Sequence, residues 1–305
     1  MARLQPLSLV LVALALAASW KSDAAAAEPV AWRAEADFFK LPEGYKLGAC
    51  SAVAVNSRGE IFVFHRGEHP ILVFDSAGKF LRSWGDGVIG SSHGLRIDRE
   101  DHVWVTDIGN HRVMKFDPQG KQLLSLGTGK PSDADDAFNK PTDVAFGPKG
   151  EFFVTDGYGN TRVLAFSPSG ALVHKWGSAG KGDGEFNTPH AIVIDRQGRL
   201  IVGDRENDRI QIFDADGKHL ATWPGFAPYG LALDAEGRLF VADGRAHQVL
   251  ELDGAGKVVG RFGKEGKGAG EFSLPNMLSF DAAGNLFVTE ITGTRVQKLV
   301  RQAGR

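Results

Sequence analysis

The sequence predicts an all-β fold, a six-bladed β-propeller of four-stranded blades, on three observations. First, one segment recurs six times, anchored by Val63, Val105, Val154, Val202, Val241 and Val288 at steps of 42, 49, 48, 39 and 47 residues. That period suits one blade. Second, each copy consists of short runs rich in Val, Ile and Phe, bounded by Gly, Pro and Asp, which read as antiparallel strands. Third, no helical period survives beyond the N-terminus.

The elements follow in order. Residues 1–27 carry a lone early charge, Arg3, and then an apolar run from Leu7 to Ala18 broken only by Ser8. Ala24 to Ala27 offer small-residue cleavage sites. This reads as a secretory signal peptide, too short to span a bilayer. Residues 28–305 are expected to form one domain, with blades near 48–85, 91–127, 140–177, 188–223, 227–263 and 274–301. Blade two shows the pattern: Leu95 and Ile97 alternate with Arg96, Val103 and Val105 flank Trp104, and Val113 and Phe116 follow. Asp117-Pro118-Gln119-Gly120 then makes a turn. The sixth copy holds only three strands, while residues 30–47, with Trp32, Phe38 and Phe39, have no copy of their own. Part of that segment is expected to pair as the outer strand of the last blade, which removes two exposed sheet edges.

Composition narrows the function. Net charge is −2 with no basic stripe, which disfavours nucleic-acid binding. Cys50 is the single cysteine, so no internal disulfide and no thiolate zinc cluster can form. An exported chain of this kind fits the periplasm or the external medium, with no membrane attachment after signal cleavage, and is expected to be a monomer. Any metal site must draw on His, carboxylate, backbone or water.

One column of the repeat carries the chemistry. It reads Ser51, His93, Thr142, His190, Tyr229, Asn276, each opening the first strand of its blade. Alternate blades of a six-fold ring stand about 120° apart, so His93, His190 and Asn276 are expected to face one spot on the axis. Neutral imidazoles there suit zinc or a similar metal. A wet channel that holds only water is the other reading.

Three loops add candidates. Phe64-His65-Arg66-Gly67 breaks the pattern where the other blades have Asp107, Asp156, Asp204, Asp243 and Glu290. A guanidinium at Arg66 suits a substrate carboxylate. Tyr158 lies between Gly157 and Gly159, and a phenol beside a cation is a candidate proton carrier. Arg205, in the polar run Asp204-Arg205-Glu206-Asn207, is placed to reach the same rim. The recurring Arg112, Arg162, Arg209 and Arg295 are read as structural because the repeat itself demands them.

These segments resemble NHL-repeat propellers, and within that group the peptidyl-α-hydroxyglycine α-amidating lyases. The resemblance rests on Phe64-His65-Arg66-Gly67, His93-Gly94-Leu95, Trp104-Val105-Thr106-Asp107, Pro141-Thr142-Asp143-Val144, Asp156-Gly157-Tyr158, Pro189-His190 and Asp204-Arg205-Glu206-Asn207. It implies cleavage of the N–Cα bond of an α-hydroxyglycine amide, on a peptide or a small amidoglycolate, to release an amide and glyoxylate. It further implies zinc on three histidines, of which His93 and His190 are two, with Tyr158 as base and Arg66 and Arg205 meeting the substrate. A calcium ion is implied on the backbone carbonyls of Val53 and Leu95 and on one aspartate. The chain departs from the pattern at Asn276, which stands at the third zinc position, and at Met277, which stands at the calcium aspartate. Asn offers zinc only a weak oxygen, and Met offers a hard calcium ion nothing useful. The alternative from another class is a non-catalytic NHL propeller that binds a protein or other ligand on one rim.

Overall fold

The computed structural model describes residues 30–302, so the expected signal peptide lies outside the described residues. Six antiparallel four-stranded sheets follow one another, and in five of them every strand pairs with its neighbour in sequence. The innermost strands are Cys50–Val55, Ser92–Ile97, Asp143–Phe146, Pro189–Ile194, Pro228–Leu233 and Pro275–Phe280. The second strands, such as Val103–Asp107 and Phe152–Asp156, are buried throughout. Outer strands such as Leu172–Trp176 alternate between half-buried and exposed, as a strand with one solvated face should.

The ring closes as the unmatched segment predicts. Trp32–Glu35 pairs antiparallel with Arg295–Arg301 and becomes the fourth strand of blade six. Trp32 then lies edge-on to Phe240 of blade five at 6.0 Å.

Blades are joined by a recurring aromatic contact. Trp84, at the end of blade one's outer strand, packs 5.1 Å from Phe116 of blade two. It also lies under the turn at Gly120, where φ is +92° and an added Cβ would meet the indole at 2.7 Å. Trp176 and Gly217, and Trp223 and Gly256, repeat this arrangement. A Gly is needed there both for its left-handed backbone and for the close approach. The Trp-Gly and Gly-Lys signals of the repeat are thus two halves of one inter-blade contact.

The recurring arginines tie the loops down. Arg162, Arg209 and Arg295 each pair with the acidic residue ending the second strand, Asp156, Asp204 and Glu290. Each also donates to backbone carbonyls of the loop entering its blade, as Arg209 does to Lys181, Gly182 and Glu185. In blade one His65 replaces the acid. Its Nδ1 accepts the Gly48 amide at 3.0 Å, as Asp156 accepts that of Asn139.

Candidate active site

Five of the six ring residues sit at a β-bulge. Pairing jumps between Cys50 and Ala52, Ser92 and Leu95, Pro189 and Ala191, Pro228 and Gly230, and Pro275 and Leu278. Ser51, His93, His190, Tyr229 and Asn276 fall in those gaps. A bulge frees a residue from the ladder and re-aims its side chain.

His93 and His190 converge on one point, with their Nε2 atoms 3.1 Å apart. His93 Nδ1 lies 2.6 Å from the Thr142 carbonyl oxygen, and His190 Nδ1 lies 2.6 Å from that of Tyr229. A carbonyl can only accept, so both Nδ1 atoms carry the proton and both Nε2 atoms present lone pairs. Burial pushes His93 below the ordinary imidazole value to about 3; the Thr142 contact opposes this, and the charges of Arg66 and Arg205 add to it. Burial, then the charges of Arg205 and His93, hold His190 well below that range too. Two neutral rings therefore aim lone pairs into one small space.

Asn276 keeps the anchor of a ring histidine and changes the inward atom. Its Nδ2 donates to the Ser51 carbonyl at 2.6 Å. This is the contact made by the two histidines: each reaches the carbonyl of the ring residue in the next blade. With the amide nitrogen so engaged, Oδ1 is left as the acceptor where a histidine would present Nε2.

Zinc–nitrogen bonds run about 2.0–2.1 Å, so one ion can reach both Nε2 atoms. The carbonyls on Nδ1 are the outer partners that metal-bound imidazoles ordinarily have. Two converging neutral imidazoles form a donor pair that fits a divalent transition metal.

Tyr158 stands over the pair, its hydroxyl 3.1 Å from His93 Nε2 and 3.0 Å from His190 Nε2. The loop approaches blade four closely enough that a Cβ on Gly157 would lie 1.9 Å from the Pro189 carbonyl oxygen, so only Gly allows it. Arg205 donates to the phenol oxygen at 3.1 Å, and its Nε pairs with Glu206 at 2.7 Å. The guanidinium lies between two aromatic rings, 5.1 Å from the centroid of Tyr158 and 4.8 Å from that of Tyr229. Arg66 is exposed, donates through Nε to the Ser92 carbonyl at 3.1 Å, and forms no ion pair among the described residues. Its guanidinium can take a partner.

The structure thus gathers His93, His190 and Tyr158 in mutual contact, with Arg205 bonded to Tyr158 and the charges of Arg66 and Arg205 felt by both histidines. Asn276 is anchored on Ser51. Val53 and Leu95 are buried on their inner strands. Met277 lies 4.0 Å through its sulfur from Arg96, a residue given no role by the sequence reading. Arg96 and its partner Asp143 were detectable as the charged members of otherwise small or apolar columns. Tyr229, which holds Arg205, was seen only as a ring member. Five further histidines, His102, His111, His174, His219 and His247, are all half-buried. His111 and His247 accept the backbone amides of Lys140 and Leu274 from neighbouring loops.

The chain is a six-bladed β-propeller, and comparison with known proteins agrees on that fold. A family profile described as "6-bladed beta-propeller" matches residues 138–223. The chain is 38% identical over 205 residues to peptidyl-glycine alpha-amidating monooxygenase A of Xenopus laevis, a match covering 56% of this chain and 22% of that one. It is 30% identical over 211 residues to peptidyl-alpha-hydroxyglycine alpha-amidating lyase 1 of Drosophila melanogaster, covering 55% and 38%. It is 31% identical over 216 residues to NHL repeat-containing protein 3 of Mus musculus, covering 64% and 62%. Each match spans less than two thirds of the relative. A solved gluconolactonase from Xanthomonas campestris shares the fold, with a TM-score of 0.68 at 16% identity over 90% of this chain and 98% of that one. The homologues of this chain therefore include amidating lyases and NHL-repeat proteins.

Proposed function

We propose that the chain is a peptidylamidoglycolate-lyase-like enzyme. The observation that carries this reading is the cluster of Tyr158 on the His93–His190 pair with Arg205 bonded to its phenol oxygen. A purely structural channel has no need of an arginine held between two tyrosines over two neutral imidazoles.

His93 and His190, with Asn276 as a weak third position, would hold zinc. A divalent metal there supplies Lewis-acid polarisation of substrate oxygens. The chain's own groups do the rest. Arg66 and Arg205 hold the carboxylate of the α-hydroxyglycine by charge-assisted hydrogen bonds. Tyr158, acting as base, takes the hydroxyl proton. The O–H electrons become the new C=O bond, the N–Cα bond breaks, its electron pair goes to nitrogen, and the proton taken up by Tyr158 passes to that nitrogen to complete the amide. Peptide amide and glyoxylate leave. Calcium enters no step of this scheme. Export to the periplasm or beyond suits the peptides or small amidoglycolates such an enzyme would meet.

The test is release of glyoxylate and benzamide from α-hydroxyhippurate by the purified protein supplied with zinc. Turnover that disappears in Tyr158→Phe supports the reading. A well-folded, zinc-loaded protein that releases no glyoxylate from this or a peptidyl substrate sinks it. The rim-binding propeller would then be the surviving alternative.

A further inference from the structure

Arg96 stands on the innermost strand of blade two, three residues beyond His93, and is largely withdrawn from solvent with 17% of its side chain exposed. Its Nε and one terminal nitrogen fork onto the Asp143 carboxylate of blade three at 2.9 and 2.6 Å. The same terminal nitrogen donates to the Leu231 carbonyl of blade five at 3.1 Å and lies 4.0 Å from Met277 Sδ of blade six. One guanidinium thus links four blades across the axis. A cavity of about 300 Å³ runs on from it along the axis, lined by Val144, Ile192, Ala232 and Leu278.

Asp143 is fully satisfied as an anion. Besides the guanidinium, Oδ1 accepts the Val144 amide at 2.9 Å and Oδ2 accepts the Ile192 amide at 3.0 Å. Buried ion pairs persist when their remaining lone pairs are met in this way. The repeat relates these partners to the positions implied for calcium. Leu231 occupies in blade five the step that Val53 and Leu95 occupy in blades one and two. Asp143 occupies in blade three the step that Met277 occupies in blade six.

We propose that Arg96 and Asp143 form a built-in axial cation site that does the structural work of the calcium ion implied by the family resemblance, so that this propeller folds and stays closed without calcium. Calcium takes six to eight oxygen ligands. Here Met277 offers a thioether, the Leu231 carbonyl is already donated to, and a fixed positive charge repels a dication. The anion has moved from blade six to blade three, and the cation has become a side chain. This inference stands whether or not the histidine pair binds zinc.

The experiment takes the full chain, strips it with chelator, desalts it, and measures melting temperature and calcium content with and without added calcium chloride. The expected result is one melting temperature in both conditions and no calcium retained after desalting. Retention of one calcium per chain, or a melting temperature that rises with calcium, overturns the proposal. Two variants test the residues. Arg96→Met should lower the melting temperature, on the order of 5 °C or more, in either condition. A variant as stable as the parent removes the guanidinium's structural role. Arg96→Ala with Met277→Asp should melt lower without calcium and recover, on the order of 5 °C, with it. A double variant indifferent to calcium argues that the axis is no cation position.

Discussion

The Nε2 atoms of His93 and His190 lie 3.1 Å apart while both Nδ1 atoms are held on carbonyl oxygens of the next blade. This arrangement has a consequence for stability. The unfolded chain binds a proton on each imidazole near the ordinary value of 6.5, whereas folded His93 resists protonation until about 3. Between those values the unfolded state holds more protons, so stability falls as pH falls. The slope is about 1.4 kcal/mol per pH unit for each such histidine. Above pH 6.5 both states are neutral there and the contribution is flat. Urea midpoints of the metal-free protein should therefore decline from pH 6.5 downward. His93→Asn with His190→Asn should decline less steeply, and parallel curves for parent and variant would show that the rings titrate normally.

Tyr158→Phe removes one hydroxyl from the centre of the cluster and leaves the ring that Arg205 faces at 5.1 Å. A lost general base costs about 10²–10⁴ in rate. The variant should lose turnover by that factor while retaining zinc content and melting temperature. A loss of bound zinc along with activity would instead make Tyr158 part of the metal's support.

Arg66→Ala should act differently from Tyr158→Phe. Arg66 is exposed and without an ion pair among the described residues, so its removal costs little stability. Losing a carboxylate anchor should raise KM more than it lowers kcat. A change confined to kcat would place Arg66 with the reacting atoms instead.

Much of this was legible in the repeat, because a period compares each residue with five equivalents. That comparison exposed the ring column, the anomalous His65-Arg66 step and the unmatched Trp32 segment. What it hid lies between blades. His65 looked like a functional break, yet it performs the same loop-capping contact as the acids it replaces. The Arg96–Asp143 pair joins different columns of different copies, so no single column shows it. The bulges that free the ring residues shift pairing without any marker residue of their own. His111 and His247 carry no marker of their role either: with left-handed backbones, φ +53° and +55°, they accept amides of neighbouring loops.

Ring closure can be tested by deletion. Trp32–Glu35 supplies four paired residues to blade six, Trp32 packs on Phe240, and Phe38 is buried against Phe287 at 5.9 Å. Removing residues 30–40 opens the outer edge of blade six and strips aromatic packing from its junctions with blades five and one. The melting temperature should fall on the order of 10 °C. An unchanged value would mean that the ring holds without its closing strand.

Asn276→His is the most direct test of the metal site. The substitution keeps what the structure already provides: the Ser51 carbonyl that Asn276 Nδ2 meets at 2.6 Å can accept an Nδ1–H instead. Both existing histidines are held in that way, so the new ring is steered into the same tautomer, with Nε2 directed at the axis. The side chain is buried at 2% exposure, so the larger ring must find room. If it does, an amide oxygen is exchanged for a better zinc ligand. Zinc affinity should rise about tenfold or more, worth about 1.4 kcal/mol. Competition with a chromophoric chelator measures this directly, and lyase turnover at limiting zinc should rise in step. Unchanged affinity in a folded variant would mean that His93 and His190 do not present the third position of a metal site, and that their convergence serves the channel alone.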